Sequence, residues 1–135
     1  MSAWRRRAIE VFPERALGIK AASSATTLFA SLAGDLRATY SGVRDEPDLA
    51  DRVFAFAAWC LQHDQAPVLR RAAIDGLLLH LPNVAPGRHD VALRMPPPMV
   101  DELEPLYRSA LPAEDFASLM AEIDLVRSGH PNAAA

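Results

Sequence analysis

Six side chains of metal-ligand type lie between residues 60 and 90, and they are the strongest candidates for chemistry in this chain. They are Cys60, His63, Asp64, His80, His89 and Asp90. Cys60 and His63 are three residues apart and would share one face of a helix, which suits a metal site. The sequence contains no C-x-x-C, H-E-x-x-H or H-x-x-x-H motif, however. We therefore predict no metal ligand among them.

A thiol-dependent enzyme is the second chemistry that these residues permit. A Cys60 thiolate would need a histidine base, and His63 and His80 are the candidates. Trp59 and Leu61 flank the cysteine, which indicates a packed thiol with a raised pKa and low reactivity. The usual P-loop, dinucleotide-binding and nucleophile-elbow motifs are also missing. The sequence assigns no catalytic residue and no cofactor, and an enzyme using these three side chains stays an alternative.

Three consecutive arginines, Arg5 to Arg7, make a nucleic-acid-associated regulator a further alternative. Arg15 and Lys20 could add phosphate contacts to them. The net charge of the chain is −3 at pH 7, however, whereas a nucleic-acid-binding domain is normally basic. A solvated helix face explains the arginine run, and nucleic acid is not the partner that we predict.

The candidate residues fall on or beside two helices, and a proline stands at the start of each. Pro47 predicts a helix over 48–64, in which apolar residues recur at steps of three and four. Pro67 and Pro82 bound a second helix over 67–81. Because the loop between them is short, they should form an antiparallel hairpin. Their broad apolar arcs place this hairpin at the centre of the fold.

The rest of the chain should cover that hairpin with further helices. We expect helices over 3–12, 24–40, 98–111 and 113–127, with a break or strain at Pro105, and a turn or short helix over 13–22. Prolines and glycine predict an irregular segment over 83–97, with 90–95 extended. The prediction is an all-α, compact single-domain bundle of five to six helices over 1–127, followed by a loose tail over 128–135.

The composition of the chain indicates the cellular compartment in which we expect the protein. The single cysteine cannot form an intramolecular disulfide, which favours a reducing cytoplasm. No apolar run has the length of a signal peptide core or a membrane span, so we expect a soluble protein with no membrane partner.

The segments F-A-F-A-A-W-C-L (Phe54 to Leu61) and L-L-H-L-P (Leu78 to Pro82) resemble a family of small, uncharacterised bacterial helical proteins. V-F-P-E (Val11 to Glu14) is similar to that family as well. Leu78 and Leu79 depart from its pattern, because an aromatic and an acidic residue are expected before His-Leu-Pro. The resemblance implies an all-α fold and a bacterial origin, and it implies no activity.

By elimination, the sequence predicts a non-enzymatic protein-interaction module of the immunity or adaptor type. Its partner would be another protein, and an exposed part of the wide apolar surface would also permit a homodimer. The fold class does not determine function, so this prediction depends only on the absence of known catalytic motifs.

Overall fold

The computed structural model describes residues 1–129, which form helices joined by short turns. Within this part of the chain there are eight α-helices and no β-strand, so the all-α prediction is confirmed. The helices are α1 (Ala3–Val11), α2 (Ala16–Ala21), α3 (Ala25–Tyr40), α4 (Leu49–Cys60), α5 (Pro67–Ala73), α6 (Ala85–Arg94), α7 (Pro97–Ala110) and α8 (Ala113–Arg127). Short 3-10 turns at Pro13–Arg15 and Leu81–Asn83 and a π-helical turn at Ile74–Leu78 complete them. None of these helices has the length and apolar character needed to cross a bilayer.

The described chain divides into two compact units. The first comprises Met1–Leu77, with α1 to α5, and the second begins at Leu78 and contains α6 to α8. That the chain is one folding domain stays a prediction. Of the predicted tail over 128–135, Ser128 and Gly129 form a turn after α8. Residues 130–135 lie outside the described part.

Aromatic side chains form the core of the first unit, with Phe56 of α4 at their centre. Phe29 of α3 stacks on Phe56 at 5.3 Å between ring centroids, and Phe12 meets it edge-on at 6.1 Å. All three rings are fully buried. Such pairs stabilise a core beyond the area that they bury, by about 0.5–1.5 kcal/mol each. The apolar stripe predicted on α4 is therefore the inward face of this unit.

Local signals set the two ends of α3 as predicted. The hydroxyl of Ser24 accepts a hydrogen bond from the backbone N–H of Thr27 at 3.2 Å, which caps the first turn. After Tyr40 the chain leaves the helix through Gly42, whose φ of +78° favours glycine. Both residues act within a few positions of the helix end, so a single sequence reveals them.

The two predicted hairpin helices are shorter than their patterns indicate. The predicted helix over 48–64 is α4, which begins two residues after Pro47 and ends at Cys60. There the amide of Leu61 is shared between the carbonyls of Ala57 and Ala58, which tightens the last turn. The predicted helix over 67–81 is α5 followed by the π-helical turn Ile74–Leu78.

Close packing of Gly76 against α3 accompanies that π-helical turn. A Cβ atom at this position would lie 2.8 Å from Cβ of Phe29 and 3.0 Å from the carbonyl oxygen of Thr26. Only glycine permits this approach of the two backbones. A contact between residues so far apart in sequence has no local signal, which is why the periodicity predicted an unbroken α-helix.

The prediction of an irregular segment over 83–97 is wrong for most of its length. It is one reason why the described residues contain eight α-helices and not the five to six that were predicted. Helix α6 occupies Ala85–Arg94, so 90–95 is not extended. Pro86 stands in the first turn, where the missing N–H costs nothing, and Pro96 lies two residues after the last helical residue, Arg94. Arg94 donates to Asp90 at 2.9 Å one turn earlier. The prolines mark the ends of this helix.

In the second unit, α8 packs against both α6 and α7. His89 of α6 forms a 2.6 Å hydrogen bond with Glu122 of α8, and Arg127 of α8 donates to Asp101 of α7 at 2.8 Å. Helix α7 continues through Pro105 without the predicted split. Pro105 is exposed, so water can bind the carbonyl group that it leaves without a donor.

Substitution of Gly87 by alanine should strongly destabilise the second unit. A Cβ atom there would overlap the carbonyl oxygen of Leu81, which is backbone and cannot rotate away. We expect the free energy of unfolding to fall by about 3 kcal/mol, the upper part of the range for overpacked sites. Chemical denaturation followed by circular dichroism measures the change.

Gly34→Ala is the matched control. Gly34 lies inside α3, and a Cβ atom there meets nothing within 4 Å. This change should raise stability by about 0.5–1 kcal/mol, because alanine is the better helix former. Equal effects of the two substitutions would contradict the close approach at Gly87.

Candidate functional site

Arg15, the last residue of the Pro13–Arg15 turn, is held by carboxylates from three segments of the first unit. Its Nη1 donates to Glu14 at 2.6 Å and its Nη2 donates to Glu46 at 2.9 Å. Its Nε donates to Asp35 of α3 at 3.4 Å. The side chain of Arg15 is only 17% exposed. All three nitrogens of the guanidinium group are therefore engaged, and they tie the turn, α3 and the loop before α4 together.

Arg52 of α4 connects the same network to the aromatic core. It donates to Glu14 at 2.6 Å and to the carbonyl oxygen of Val11 at 3.2 Å. Its guanidinium carbon lies 5.2 Å from the ring centroid of Phe12, and that of Arg15 lies 5.8 Å from it. These distances are within the range of cation–π attraction. The V-F-P-E segment thus supplies a carbonyl acceptor, a core ring, a turn-starting proline and a carboxylate.

The network shifts the pKa values of Glu14, Arg15 and Glu46 toward their charged forms. For Glu46, partial burial raises the pKa, but hydrogen bonds from Arg15 and Arg44 outweigh it and the net pKa is lowered. For Glu14, burial again raises the pKa, and a backbone hydrogen bond and the Arg52 contact outweigh it. Burial lowers the pKa of Arg15, while Glu46 and the other carboxylates raise it overall. These three groups therefore remain ionised at neutral pH.

A groove of about 480 Å³ opens beside this network, between α2 and α3. Its apolar lining consists of Ile19, Ala21, Ala22, Leu28 and Leu32. The hydroxyl residues Thr27 and Ser31 of α3 also line it, and Arg15, Asp35 and Arg44 line it as the ionic groups. A mainly apolar lining with a few polar groups is typical of binding sites. The arrangement can bind an apolar group and orient it by polar contacts.

Two large apolar side chains are exposed next to groove residues. Leu17 precedes Gly18 in sequence and is 85% exposed, and Val43 precedes Arg44 and is 83% exposed. A single exposed apolar residue is ordinary, and these two are notable only because each is the chain neighbour of a groove residue. A second, smaller groove of about 280 Å³ includes Trp4, Arg5 and Val68 in its lining.

Cys60 and the histidines predicted as chemical candidates do not form an accessible site in the described residues. Cys60 is fully buried, and burial raises its pKa to about 12, so the predicted packed thiol is confirmed. His63 is exposed in the first unit, and His80 is exposed in the second. Within residues 1–129, no group of three or more His, Cys, Asp or Glu side chains is arranged to hold a metal ion.

The remaining metal-ligand candidates have ordinary surroundings. His89 is bound to Glu122, and Asp90 accepts from Arg94. Asp64 lies exposed in the turn after α4. These contacts are helix-to-helix and i,i+4 pairs, which stabilise helices and need no ligand.

The arginine run at the start of the chain is divided among several contacts. Arg5 donates to the carbonyl oxygens of Ile19 and Lys20 and lies over the ring of Trp4. Arg6 donates to the carbonyl oxygen of Met1, and Arg7 to Glu10. Arg5 is therefore occupied in joining α1 to α2, while Arg6 and Arg7 are exposed.

Sequence reasoning missed the ion network because its members are far apart in the chain. Arg15 was considered only as a phosphate contact, and Glu46 only as a charge at a helix start. The two are 31 residues apart, yet both carboxylate oxygens of Glu46 lie within 3.0 Å of Nη2 of Arg15. The only local signal is the proline of V-F-P-E, which starts the turn that ends at Arg15.

No family model matches this sequence, and no match was found among curated proteins or solved structures. The family resemblance at Phe54 to Leu61 and Leu78 to Pro82 therefore stays a prediction. Fold and geometry alone support the functional argument that follows.

Removal of Arg15 should weaken the first unit and change its response to acid. Because the folded pKa values of Glu14 and Glu46 are lowered, their contribution to stability is present above the ordinary value of 4.5 and is lost as pH falls through the folded values. Arg15→Gln should reduce the free energy of unfolding at pH 7 by roughly 2 kcal/mol, because Glu14, Asp35 and Glu46 each lose a charge-assisted hydrogen bond and keep only Arg52 or Arg44 beside them. The decline of stability below pH 4.5 should also become shallower. Urea unfolding at a series of pH values measures both effects.

Arg108→Gln serves as the control for that experiment. Arg108 forms an exposed i,i+4 pair with Glu104 on α7, at 3.2 Å. Such pairs contribute about 0.3–0.5 kcal/mol, so stability and its pH dependence should hardly change. Parallel pH curves for the wild type and Arg15→Gln would contradict the role assigned to Arg15.

The buried thiol should be inert in the folded protein. A disulfide reagent such as dithionitrobenzoate should react with Cys60 only after unfolding in guanidinium chloride, because thiolate is scarce and the sulfur is covered. Absorbance of the released thiolate follows the reaction, and Cys60→Ala gives the background. Rapid reaction of the native protein would revive the thiol-enzyme alternative.

Proposed function

We propose that this chain is a non-enzymatic protein-interaction module that binds a partner protein through the groove between α2 and α3. The observation that carries the proposal is the apolar groove whose lining also contains the ionic residues Arg15, Asp35 and Arg44. A surface of this kind is typical of a protein-binding patch. The module would be of the immunity or adaptor type and would sequester its partner in a bacterial cytoplasm.

The chemistry of the first unit supports binding over catalysis. Its one thiol is buried and protonated at neutral pH, and the arginines and carboxylates of the network pair with one another. A catalytic acid, base or nucleophile must be reachable by substrate and poised to change its protonation state. Glu14, Arg15 and Glu46 are instead held charged by their mutual contacts, which suits a rigid support for a binding surface.

In this proposal, α4 and α5 form the central hairpin of the fold and support the wall of the groove. Phe56 of α4 stacks on Phe29 of α3, and α5 packs against both α3 and α4. These contacts would keep α3, one wall of the groove, in a constant position. A rigid wall lowers the entropy lost when a partner binds.

Site-specific photocrosslinking tests the proposed function. Benzoylphenylalanine would be placed at position 17 or position 43 in cells of the source organism, and at position 93 as a control. Leu93 is also an exposed apolar residue, but it lies on α6 of the second unit. The expected result is that one protein is crosslinked from positions 17 and 43 and is not crosslinked from position 93. Mass spectrometry identifies it.

Binding of the purified partner should then depend on the groove. Ser31 is an exposed groove residue, so Ser31→Phe should fill the groove and weaken binding at least about tenfold, which is 1.4 kcal/mol. Ser118→Phe is the matched control on the exposed side of α8. The same crosslinks from all three positions, no crosslinks, or full binding by Ser31→Phe would refute the proposal.

A further inference from the structure

Two arginines line the ionic end of the groove, and they differ in how many of their guanidinium nitrogens form ionic contacts. Arg15 donates from Nε, Nη1 and Nη2 to three different carboxylates. The ionic contacts of the Arg44 side chain within residues 1–129 come from Nη1, which lies 2.8 Å from Glu46 and 3.7 Å from Asp35. An arginine carries five N–H donors in a planar fork. The Nε and Nη2 donors of Arg44 are therefore available to a ligand.

Exposure places Arg44 at the outer surface of the network. Its side chain is 43% exposed, whereas those of Asp35 and Glu46 are each 24% exposed. Both oxygens of Glu46 accept from Arg15, and Glu46 does not line the groove. The ionic lining of the groove therefore consists of two guanidinium groups, Arg15 and Arg44, and one carboxylate, Asp35, which leaves an excess of positive charge.

The charge that complements this surface is a carboxylate. A carboxylate matches the planar donors of arginine and forms short, charge-assisted hydrogen bonds with them. The rest of the lining is mainly aliphatic, with the Ser31 hydroxyl on one wall. An occupant that satisfies both parts has aliphatic side chains next to one negative charge.

The volume of the groove limits the length of that occupant. At about 480 Å³ it lies in the lower half of the range for small-ligand pockets. A groove of this volume accommodates a short segment of a partner and not a whole protein surface.

We infer that the groove binds a short aliphatic segment of the partner protein that carries a carboxylate, with this carboxylate on Arg44. The inference rests on the proposed function and names the chemistry of the partner. The aliphatic side chains contact the wall formed by α2 and α3. The carboxylate accepts hydrogen bonds from the donors of Arg44 that its contacts with Glu46 and Asp35 leave available.

Peptide titration followed by NMR tests this chemistry without the natural partner. The probes are the acetylated and amidated tetrapeptide leucine-alanine-leucine-glutamate and its counterpart that ends in glutamine. Titrated into the isotope-labelled full chain, the acidic peptide should shift the amide signals of Leu28, Ser31 and Leu32, with a dissociation constant of about 1 mM. The neutral peptide should bind about threefold more weakly, as expected for one exposed ion pair.

Arg44→Gln should remove the preference for the acidic peptide and leave weak binding of both peptides. Arg37→Gln is the matched control, because Arg37 is exposed on α3 and does not line the groove. It should keep the threefold preference, because Arg37 does not contact a ligand in the groove. Equal affinities in the wild type, shifts away from the groove, or no shifts at all would overturn the inference.

The two proposals fail in different ways. If a protein is crosslinked from positions 17 and 43 but the peptides show no preference, the interaction module stands and the chemistry assigned to its partner is wrong. If the acidic peptide binds as expected but no protein is crosslinked, the groove binds this chemistry and the proposed function is wrong.

Discussion

The first unit depends on the ion pairs that the guanidinium group of Arg15 forms with three carboxylates. This group lies among Glu14, Asp35 and Glu46, which come from the V-F-P-E turn, from α3 and from the loop before α4. Without its positive charge these three carboxylates would be left with only Arg44 and Arg52, and partly buried carboxylates with too few cationic partners are costly in a medium of low dielectric constant. The network is therefore a condition for the local fold, and it also forms one end of the groove.

Contact between this network and the aromatic core explains why the groove has a rigid ionic end. Phe12 presents its ring to both Arg15 and Arg52, and its edge meets Phe56 in the core. Burial of the ring stabilises the unit through the hydrophobic effect, while the cations above it keep the carboxylates in place. Arg44 is the more exposed arginine of the groove lining, because its side chain is 43% exposed and that of Arg15 is 17% exposed. In the proposed binding mode, Arg15 supports the groove and Arg44 contacts the ligand.

Each unit also depends on one glycine at a close approach of two backbones. Gly76 lets the π-helical turn contact α3 next to Phe29, and Gly87 lets α6 contact the carbonyl group of Leu81. Other glycines, such as Gly34, meet no such neighbour. The glycines differ in whether another backbone segment packs against the position of the missing Cβ atom, and the sequence does not show which of them do. The sequence likewise does not show that the buried hydroxyl of Tyr107 has no hydrogen-bond partner among the described residues.

The sequence by itself determined the helical class, the ends of several helices and the burial of Cys60. Ser24 caps α3, Gly42 follows it and Pro67 starts α5, because caps, turns and proline act within a few residues of their own position. The prolines over 83–97 led to the wrong prediction of an irregular segment, because proline breaks a helix in its interior but is favourable in its first turn. Only the tertiary structure decided the pairing of Arg15 with Glu46, the approach of Gly76 to α3 and the groove between α2 and α3. These features join residues that are distant in the chain, and their energies depend on burial and distance, which exist only once the helices have packed.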